Sequence, residues 1–139
     1  MRGSVLEVEQ AMNLAESAAE RAYAPYSGFR VGATVVTESG ESYSGCNVEN
    51  ASYGLSICAE RSAVTDMVMG GAGDARSTRI SYVAVASPDA SPAFPCGACR
   101  QVLHEFGCRQ VFVQEEGGAR GYPFEDILPN AFGPRDLRA

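Results

Sequence analysis

Two short stretches determine how this chain is interpreted: CAER at residues 58–61 and PCGACR at residues 95–100. Together they supply three thiols that suit one metal ion: Cys58, Cys96 and Cys99. Three protein ligands leave the fourth position of a tetrahedral zinc open, as hydrolytic zinc requires. Glu60 stands two residues after the first of these cysteines, as a neighbouring acid. The pattern therefore predicts one catalytic Zn²⁺ per chain.

Both stretches are predicted to begin a helix. The helix that begins near Cys58 is closed by Gly70-Gly71, and the helix that begins near Cys96 is preceded by Pro95. The free N–H groups and positive dipole at a helix N-terminus stabilise thiolates. Residues two apart on a helix flank do not face each other. Cys58 and Glu60 can therefore share a metal only beyond the end of their helix, so we expect the ion where two helix N-termini meet.

The charge balance of this site predicts roles for the residues beside the thiols. Three thiolates outweigh the two positive charges of Zn²⁺, which weakens the acidification of bound water. Arg61, at i+3 from Cys58, is expected to offset this excess by donating to sulfur, and Arg100 is a weaker candidate. A surface position or a carboxylate partner is the alternative for each arginine. Glu60 is expected to carry protons, the alternative being a glutamate that only favours the helix dipole.

Composition limits the classes of partner and the compartment. The 139 residues suit one domain, 1–139. A net charge of −6 argues against a nucleic-acid polymer as partner, because that surface needs clustered Lys and Arg. No apolar run reaches the length of about 18 residues that a membrane span needs. Five cysteines without a leader-like N-terminus favour a reducing, cytoplasmic compartment.

Hydrophobic periodicity and turn residues predict alternating strands and helices. Such alternation indicates an α/β sandwich, with a mixed sheet covered by helices. Residues 122–128 fit a short strand or a short helix, and the pattern does not choose between them. The other predicted elements are helices at 5–22, 58–70 and 97–106, a hairpin at 29–37 and 42–48, and strands at 80–86 and 111–114.

A closed structural zinc site is the competing interpretation of the cysteines. Cys46, Cys108 or His104 would then supply the fourth ligand. His104 is the only histidine, and we expect it on the third helix without a role at the metal. A non-catalytic module stabilised by zinc would follow from a closed site. Glu60 together with an open fourth position distinguishes an enzyme from such a module.

Cys-Ala-Glu followed by Pro-Cys-x-x-Cys is the signature of zinc-dependent deaminases, with Cys as the first ligand. The resemblance extends further, because five segments in order resemble cytidine deaminases: 25–32, 47–54, 58–61, 95–103 and 128–134. They cover nearly the whole chain. The resemblance implies a three-layer α/β/α sandwich with a mixed five-stranded sheet. It also implies the short, homotetrameric branch with three zinc-binding cysteines.

The same resemblance implies how a nucleoside is held. Asn47 and Glu49 would hydrogen-bond the ribose 3′-hydroxyl, and Phe29 would pack near the base. The Ala59 backbone, together with Glu60, would read the pyrimidine edge. Residues two apart at a strand end do point the same way, which allows a grip on one hydroxyl. A loop-capping Asn and a solvated Glu are the alternatives.

Two aromatic residues are implied to reach the site from neighbouring subunits. These are Tyr53 and Phe132, the latter stacking on the ring. By residue type alone, Phe132 in a tail rich in Pro and Gly would instead fill a core position. The implied reaction is deamination of cytidine and 2′-deoxycytidine to uridine and 2′-deoxyuridine with release of ammonia, as in pyrimidine salvage. A deaminase of a modified cytosine nucleoside, such as blasticidin S, is the alternative.

Overall fold

The computed structural model describes residues 7–71 and 74–137. Within them, the structure contains five strands, four α-helices and short 3₁₀ turns. No helix in these two ranges is long and apolar enough to cross a membrane. The elements are α1 (Val8–Ala19), β1 (Gly32–Thr37), β2 (Ser42–Cys46), α2 (Ala59–Gly70), β3 (Ile80–Ala86), α3 (Gly97–Glu105), β4 (Gln110–Glu115), β5 (Gly118–Pro123) and α4 (Phe124–Ile127).

The strands form one sheet in the order β2-β1-β3-β4-β5. The β3–β4 pair is parallel, and the other three pairs are antiparallel. β1 and β3 lie inside the sheet and are almost entirely buried. Their near-continuous apolar sequences are those expected of strands covered on both faces. The predicted mixed five-stranded sheet is confirmed.

Helices cover both faces of the sheet. Alternate residues of a strand point to opposite faces, and β3 shows this directly. Tyr82 and Ala84 pack with α1, whereas Val83 and Val85 pack in the larger core with α2 and α3. Three layers result, as the sequence predicted.

Two glycines allow the helices to approach the sheet closely. A Cβ at Gly32 of β1 would lie 1.9 Å from the carbonyl oxygen of Ala15 in α1. A Cβ at Gly45 of β2 would lie 2.6 Å from the backbone nitrogen of Ala63 in α2. Both obstacles are backbone atoms of a helix, so a side chain at either glycine requires the helix to move.

Several element boundaries differ from the sequence prediction. α1 is shorter than 5–22, and residues 5 and 6 lie outside the described ranges. Residues 29–31 precede β1 because a side chain, Asn47, accepts the Val31 N–H in place of a neighbouring strand. Val48 leaves β2 and forms isolated bridges to Tyr23 and Ile57. Segment 122–128, for which the sequence allowed a strand or a helix, contains the end of β5 followed by the short helix α4.

The register of the sheet brings two distant loops to one edge. Gly32 at the start of β1 pairs with Cys46 at the end of β2 and with Ala86 at the end of β3. The segments that follow β2 and β3 therefore leave the sheet side by side. These segments lead to Cys58 and to Cys96, so the fold itself joins the two cysteine-bearing stretches.

Candidate active site

Three cysteine sulfurs meet at the N-termini of two helices. Cys58 is the N-cap residue of α2, Cys96 is the N-cap residue of α3, and Cys99 lies in the first turn of α3. Their ligand atoms all lie within 4.8 Å of one another, and the Cys58 and Cys96 sulfurs are 3.7 Å apart. Two thiolates on one tetrahedral zinc are about 3.8 Å apart, given a Zn–S bond of about 2.3 Å. The Cys58–Cys96 distance therefore matches two sulfurs that share a zinc ion, and the Cys99 sulfur lies close enough to be the third ligand.

The electrostatics of the cluster also fit a cation. Hydrogen bonds from Cys99 and then Arg61 lower the pKa of the Cys58 thiol to about 5. The hydrogen bond to the Cys58 sulfur, and then burial, raise the pKa of the Cys99 thiol, so the two sulfurs do not readily become anionic together. A divalent cation between the sulfurs removes this conflict. The thiolate donor set therefore suits zinc, which accepts sulfur ligands in this geometry.

Arg61 directs its charge at the sulfurs. Its Nη2 donates to the Cys58 sulfur at 3.3 Å, across one helical turn. Within the described residues no carboxylate forms an ion pair with Arg61, and its buried Nε has no hydrogen-bond partner there. Contact with sulfur raises the pKa of the Arg61 guanidinium. Arg100 differs, because it donates to the main-chain carbonyls of Pro95 and Ile127.

Glu60 is a buried carboxylate beside the cluster. It is 3% exposed, and its Oε1 lies 3.7 Å from the Cys99 sulfur. Burial is the main cause that raises the pKa of this carboxyl, and the negative charge of Cys58 adds to it. The carboxylate is not one of the three clustered ligands. Glu60 therefore lies beside the thiols without belonging to the ligand group, and its role as proton carrier stays a prediction.

The residues proposed for a closed site lie elsewhere. The Cys46 thiol donates to the Arg21 carbonyl at 3.6 Å. Cys108 is part of the hydrophobic core, where burial raises its pKa to about 12. The His104 ring stacks on Phe124, with ring centroids 6.0 Å apart. The ligand group found in the described ranges contains only the three cysteines, so a tetrahedral zinc held by them would keep one position for water or substrate.

A cavity of about 660 Å³ opens directly onto the cluster. Its wall includes Cys58, Glu60 and Cys96, so a molecule in the cavity reaches both thiols and the buried acid. Predicted substrate residues from other parts of the chain also line it: Phe29, Asn47, Glu49, Tyr53 and Ala59. The fold thus brings five of the six predicted substrate residues to one cavity.

Asn47 and Glu49 both hold the loop that precedes β1. Asn47 accepts the Val31 N–H at 2.8 Å and donates to the Phe29 carbonyl at 2.9 Å. Glu49 accepts the N–H groups of Tyr26 and Ser27, and also the Ser27 hydroxyl. These hydrogen bonds, that of Ser27 foremost, lower the pKa of Glu49. Both side chains therefore shape the cavity wall in addition to lining it.

The segment that carries Asn47 and Glu49 is also tied to the metal site. Between them, Val48 exchanges two backbone hydrogen bonds with Ile57, at 3.0 and 2.9 Å. Ile57 immediately precedes Cys58. A shift of this segment would therefore move the first cysteine of the cluster, so the metal end and the outer end of the cavity form one unit.

The two aromatic residues assigned to neighbouring subunits differ in position. Tyr53 already lines the cavity of its own chain, and its ring meets Tyr26 edge to face, with centroids 6.0 Å apart. Its expected contribution to the site of a neighbouring subunit stays a prediction. Phe132 does not line this cavity and is 59% exposed, while its carbonyl accepts from Gln101. Its role, like the roles of the other site residues, stays a prediction.

Sequence reasoning missed part of the cavity wall. Phe94 lines the cavity, and its ring meets Tyr122 of β5 edge to face, with centroids 5.2 Å apart. Ser27 links Glu49 to the Phe29 N–H. Phe94 lies two residues before Cys96, so its closeness to a ligand was the available signal. Nothing in residue spacing indicates the contacts of Ser27.

The fold and this site define a class of protein: an α/β enzyme with a three-cysteine zinc site and a buried carboxylate in its cavity. The sequence model described as the cytidine and deoxycytidylate deaminase zinc-binding region matches residues 6–115. The chain belongs to this family.

Several cytidine deaminases are similar to this chain over most of its length. The chain is 39% identical to the cytidine deaminase of Sporosarcina psychrophila over 135 residues, covering 95% of this chain and 96% of that protein. It is 42% identical to the cytidine deaminase of Mycobacterium tuberculosis over 123 residues, covering 88% and 87%. The crystal structure of cytidine deaminase from Burkholderia pseudomallei superposes with a TM-score of 0.80 at 42% identity, covering 91% of this chain and all of that one.

Proposed function

We propose that this protein is a zinc-dependent cytidine deaminase. It converts cytidine and 2′-deoxycytidine to uridine and 2′-deoxyuridine with release of ammonia, a reaction of pyrimidine salvage. One observation carries the proposal: the buried carboxylate of Glu60 lines the same cavity as two of the zinc-binding thiols, those of Cys58 and Cys96. Family membership and the names of the relatives support it. A single catalytic domain spans 1–139.

Cys58, Cys96 and Cys99 would hold the zinc. When bound, zinc supplies a Lewis acid that makes water nucleophilic at neutral pH. Arg61 donates to the Cys58 sulfur and offsets the surplus negative charge of three thiolates. The two helix N-termini act in the same direction, because their free N–H groups favour anionic sulfur.

Glu60 moves the protons that the reaction requires. Its carboxylate accepts a proton from the attacking water and delivers it to the ring nitrogen beside C4 of cytosine. It then takes the second proton from the hydroxyl group added at C4 and gives it to the departing amine, so that ammonia leaves and the carbonyl of uracil forms. Burial keeps bulk water away from this carboxylate, and the adjacent Ala59 backbone and Glu60 itself would read the pyrimidine edge.

The wall of the cavity favours a nucleoside over a nucleotide. Among the described residues that line it there is no Lys, Arg or His, and its charged members include Glu49 and Glu60. A 5′-phosphate would therefore enter an environment without a cation to balance it. Asn47 and Glu49 would bind the ribose hydroxyl with the hydrogen-bonding capacity that the loop leaves free. Phe29 would pack against the base.

The remaining features concern assembly and location. A homotetramer with shared active sites accords with the exposed Phe132 ring, which would stack on the base in a neighbouring subunit. A cytoplasmic location accords with five cysteines that are all unpaired. Small nucleosides, rather than polymers or membranes, are the partners, in keeping with the net charge of −6.

Ammonia release from a substrate panel tests the function. The zinc-loaded protein is incubated with cytosine, cytidine, 2′-deoxycytidine, dCMP and blasticidin S. We expect turnover of cytidine and 2′-deoxycytidine, and at most weak turnover of the other three. Turnover of dCMP above cytidine would contradict the argument from a cavity wall that lacks a cation. Turnover of blasticidin S alone would assign the chain to the modified-nucleoside branch.

A further inference from the structure

Two loops that line the cavity are joined through one carboxylate. Residues 26–31 carry Phe29, and residues 87–95 carry Phe94. Asp89, in the second loop, accepts three hydrogen bonds from Arg30 in the first. They come from the main-chain N at 2.8 Å, from Nε at 3.1 Å and from Nη2 at 3.1 Å. This contact spans 59 positions of sequence and involves the residue that directly follows Phe29.

We propose that Asp89 is a positioning residue that, through Arg30, fixes the Phe29 ring for nucleoside binding. The inference rests on the proposed function. Phe29 is 40% exposed, so packing alone does not determine where its ring lies. The main chain on either side of Phe29 determines the position of the ring, because Asn47 binds the Phe29 carbonyl and the Val31 N–H. Asp89 accepts the Arg30 N–H, which lies between these two groups, and so joins loop 26–31 to loop 87–95.

The geometry favours positioning over a contribution to folding. The Arg30 and Asp89 side chains are 41% and 28% exposed, and ion pairs this accessible contribute little to the free energy of unfolding. A bidentate contact between guanidinium and carboxylate nevertheless restricts orientation strongly. The bond to the Arg30 main chain adds a constraint on the loop itself. The hydrogen bond from Arg30 lowers the pKa of Asp89, so the carboxylate stays ionised at neutral pH.

Steady-state kinetics of Asp89→Ala on cytidine test the proposal. We expect KM to rise by about five-fold, the upper range for accessible ion pairs, while kcat stays unchanged. Zinc content should remain that of the unmodified protein. Arg109→Met is the matched control, because it breaks another exposed ion pair, with Glu38 at 2.6 Å. That pair lies at the other end of the sheet, so the control should leave KM unchanged.

A second variant separates the side-chain and main-chain contacts. Arg30→Met keeps the main-chain N–H that donates to Asp89, so its KM should rise less than that of Asp89→Ala. The double variant should resemble Asp89→Ala alone, because the two residues act through one contact. Raising NaCl from about 0.1 M to about 1 M shortens the Debye length from about 10 Å to about 3 Å. This change should raise KM in the unmodified protein more than in Asp89→Ala.

Two results would overturn the proposal. One is an unchanged KM in Asp89→Ala. The other is a joint fall of kcat, zinc content and Tm, which would make the contact merely structural. If the unmodified, zinc-loaded protein fails to turn over cytidine, the proposed function fails, and the positioning role fails with it. Active unmodified protein with an unaffected Asp89→Ala variant overturns the positioning role alone.

Discussion

The sulfurs of Cys58 and Cys96 lie 3.7 Å apart although 38 positions separate the two residues in the chain. Each residue is the N-cap of a helix, and neither side chain caps its own helix by a hydrogen bond. Both sulfurs are therefore free to turn toward a shared ion. The sheet register that joins the ends of β2 and β3 brings the two sulfurs to one point.

Removing one ligand should abolish zinc binding, whereas removing an unrelated cysteine should not. Cys96→Ser should lower zinc affinity by more than about 100-fold. This loss is larger than the one expected when only a residue that orients a ligand is replaced. Cys46→Ser should keep one zinc per chain, because its thiol donates to the Arg21 carbonyl and lies outside the cluster. Zinc per chain is measured by mass spectrometry of metals. Loss of zinc from Cys46→Ser would indicate a closed four-cysteine site.

Glu60→Gln should separate metal binding from catalysis. The amide cannot carry protons between water, ring nitrogen and amine, so kcat should fall by about 100- to 10,000-fold. Zinc content should stay the same, because Glu60 is not among the clustered ligands. Glu105→Gln, an exposed change on α3, is the matched control and should retain full activity. Undiminished turnover in Glu60→Gln would refute the proton-transfer role.

The sequence predicted the helix and strand pattern because burial follows local periodicity in this chain. The apolar run of β3 required a strand covered on both faces, and its bounds at Ile80–Ala86 agree with the prediction. The predicted boundaries were wrong where a side chain replaces a strand partner and where backbone bridges form outside the sheet. Residues 29–31 and Val48 are bonded outside the main sheet, and alternation of residue types does not show this.

The metal end of the site was predictable for a different reason. Helix geometry places Arg61 one turn from Cys58, so their contact follows from spacing alone. The outer cavity wall was not predictable in this way. Arg30 and Asp89 meet across two loops, and no rule of local spacing relates them. Asn47 was expected to face the substrate, yet its amide also holds the loop at Phe29.

Asn47 both lines the cavity and holds the loop at Phe29, so its replacement should affect substrate binding and stability together. Asn47→Ala removes its bonds to the Phe29 carbonyl and the Val31 N–H. It should raise KM for cytidine and also lower the free energy of unfolding by about 1–3 kcal/mol, because partly buried groups lose their partners. Asn47→Asp, which keeps the acceptor for Val31, should lose less stability. Asn13→Ala, an exposed change on α1, is the control. Denaturant unfolding that leaves Asn47→Ala unaffected would limit Asn47 to substrate contact.

Close packing between β2 and α2 should couple stability to metal binding. A methyl group at Gly45 meets the backbone of α2, so Gly45→Ala should cost about 1–3 kcal/mol of unfolding free energy. It should also weaken zinc binding, because α2 carries Cys58 at its N-terminus. Gly32→Ala clashes with α1 instead, and should lower stability while folded protein keeps its zinc affinity. Gly54→Ala, with open space around the added atom, should change neither. Equal zinc affinities in Gly45→Ala and Gly32→Ala, measured by competition with a chelator, would show that α2 moves without disturbing the thiols.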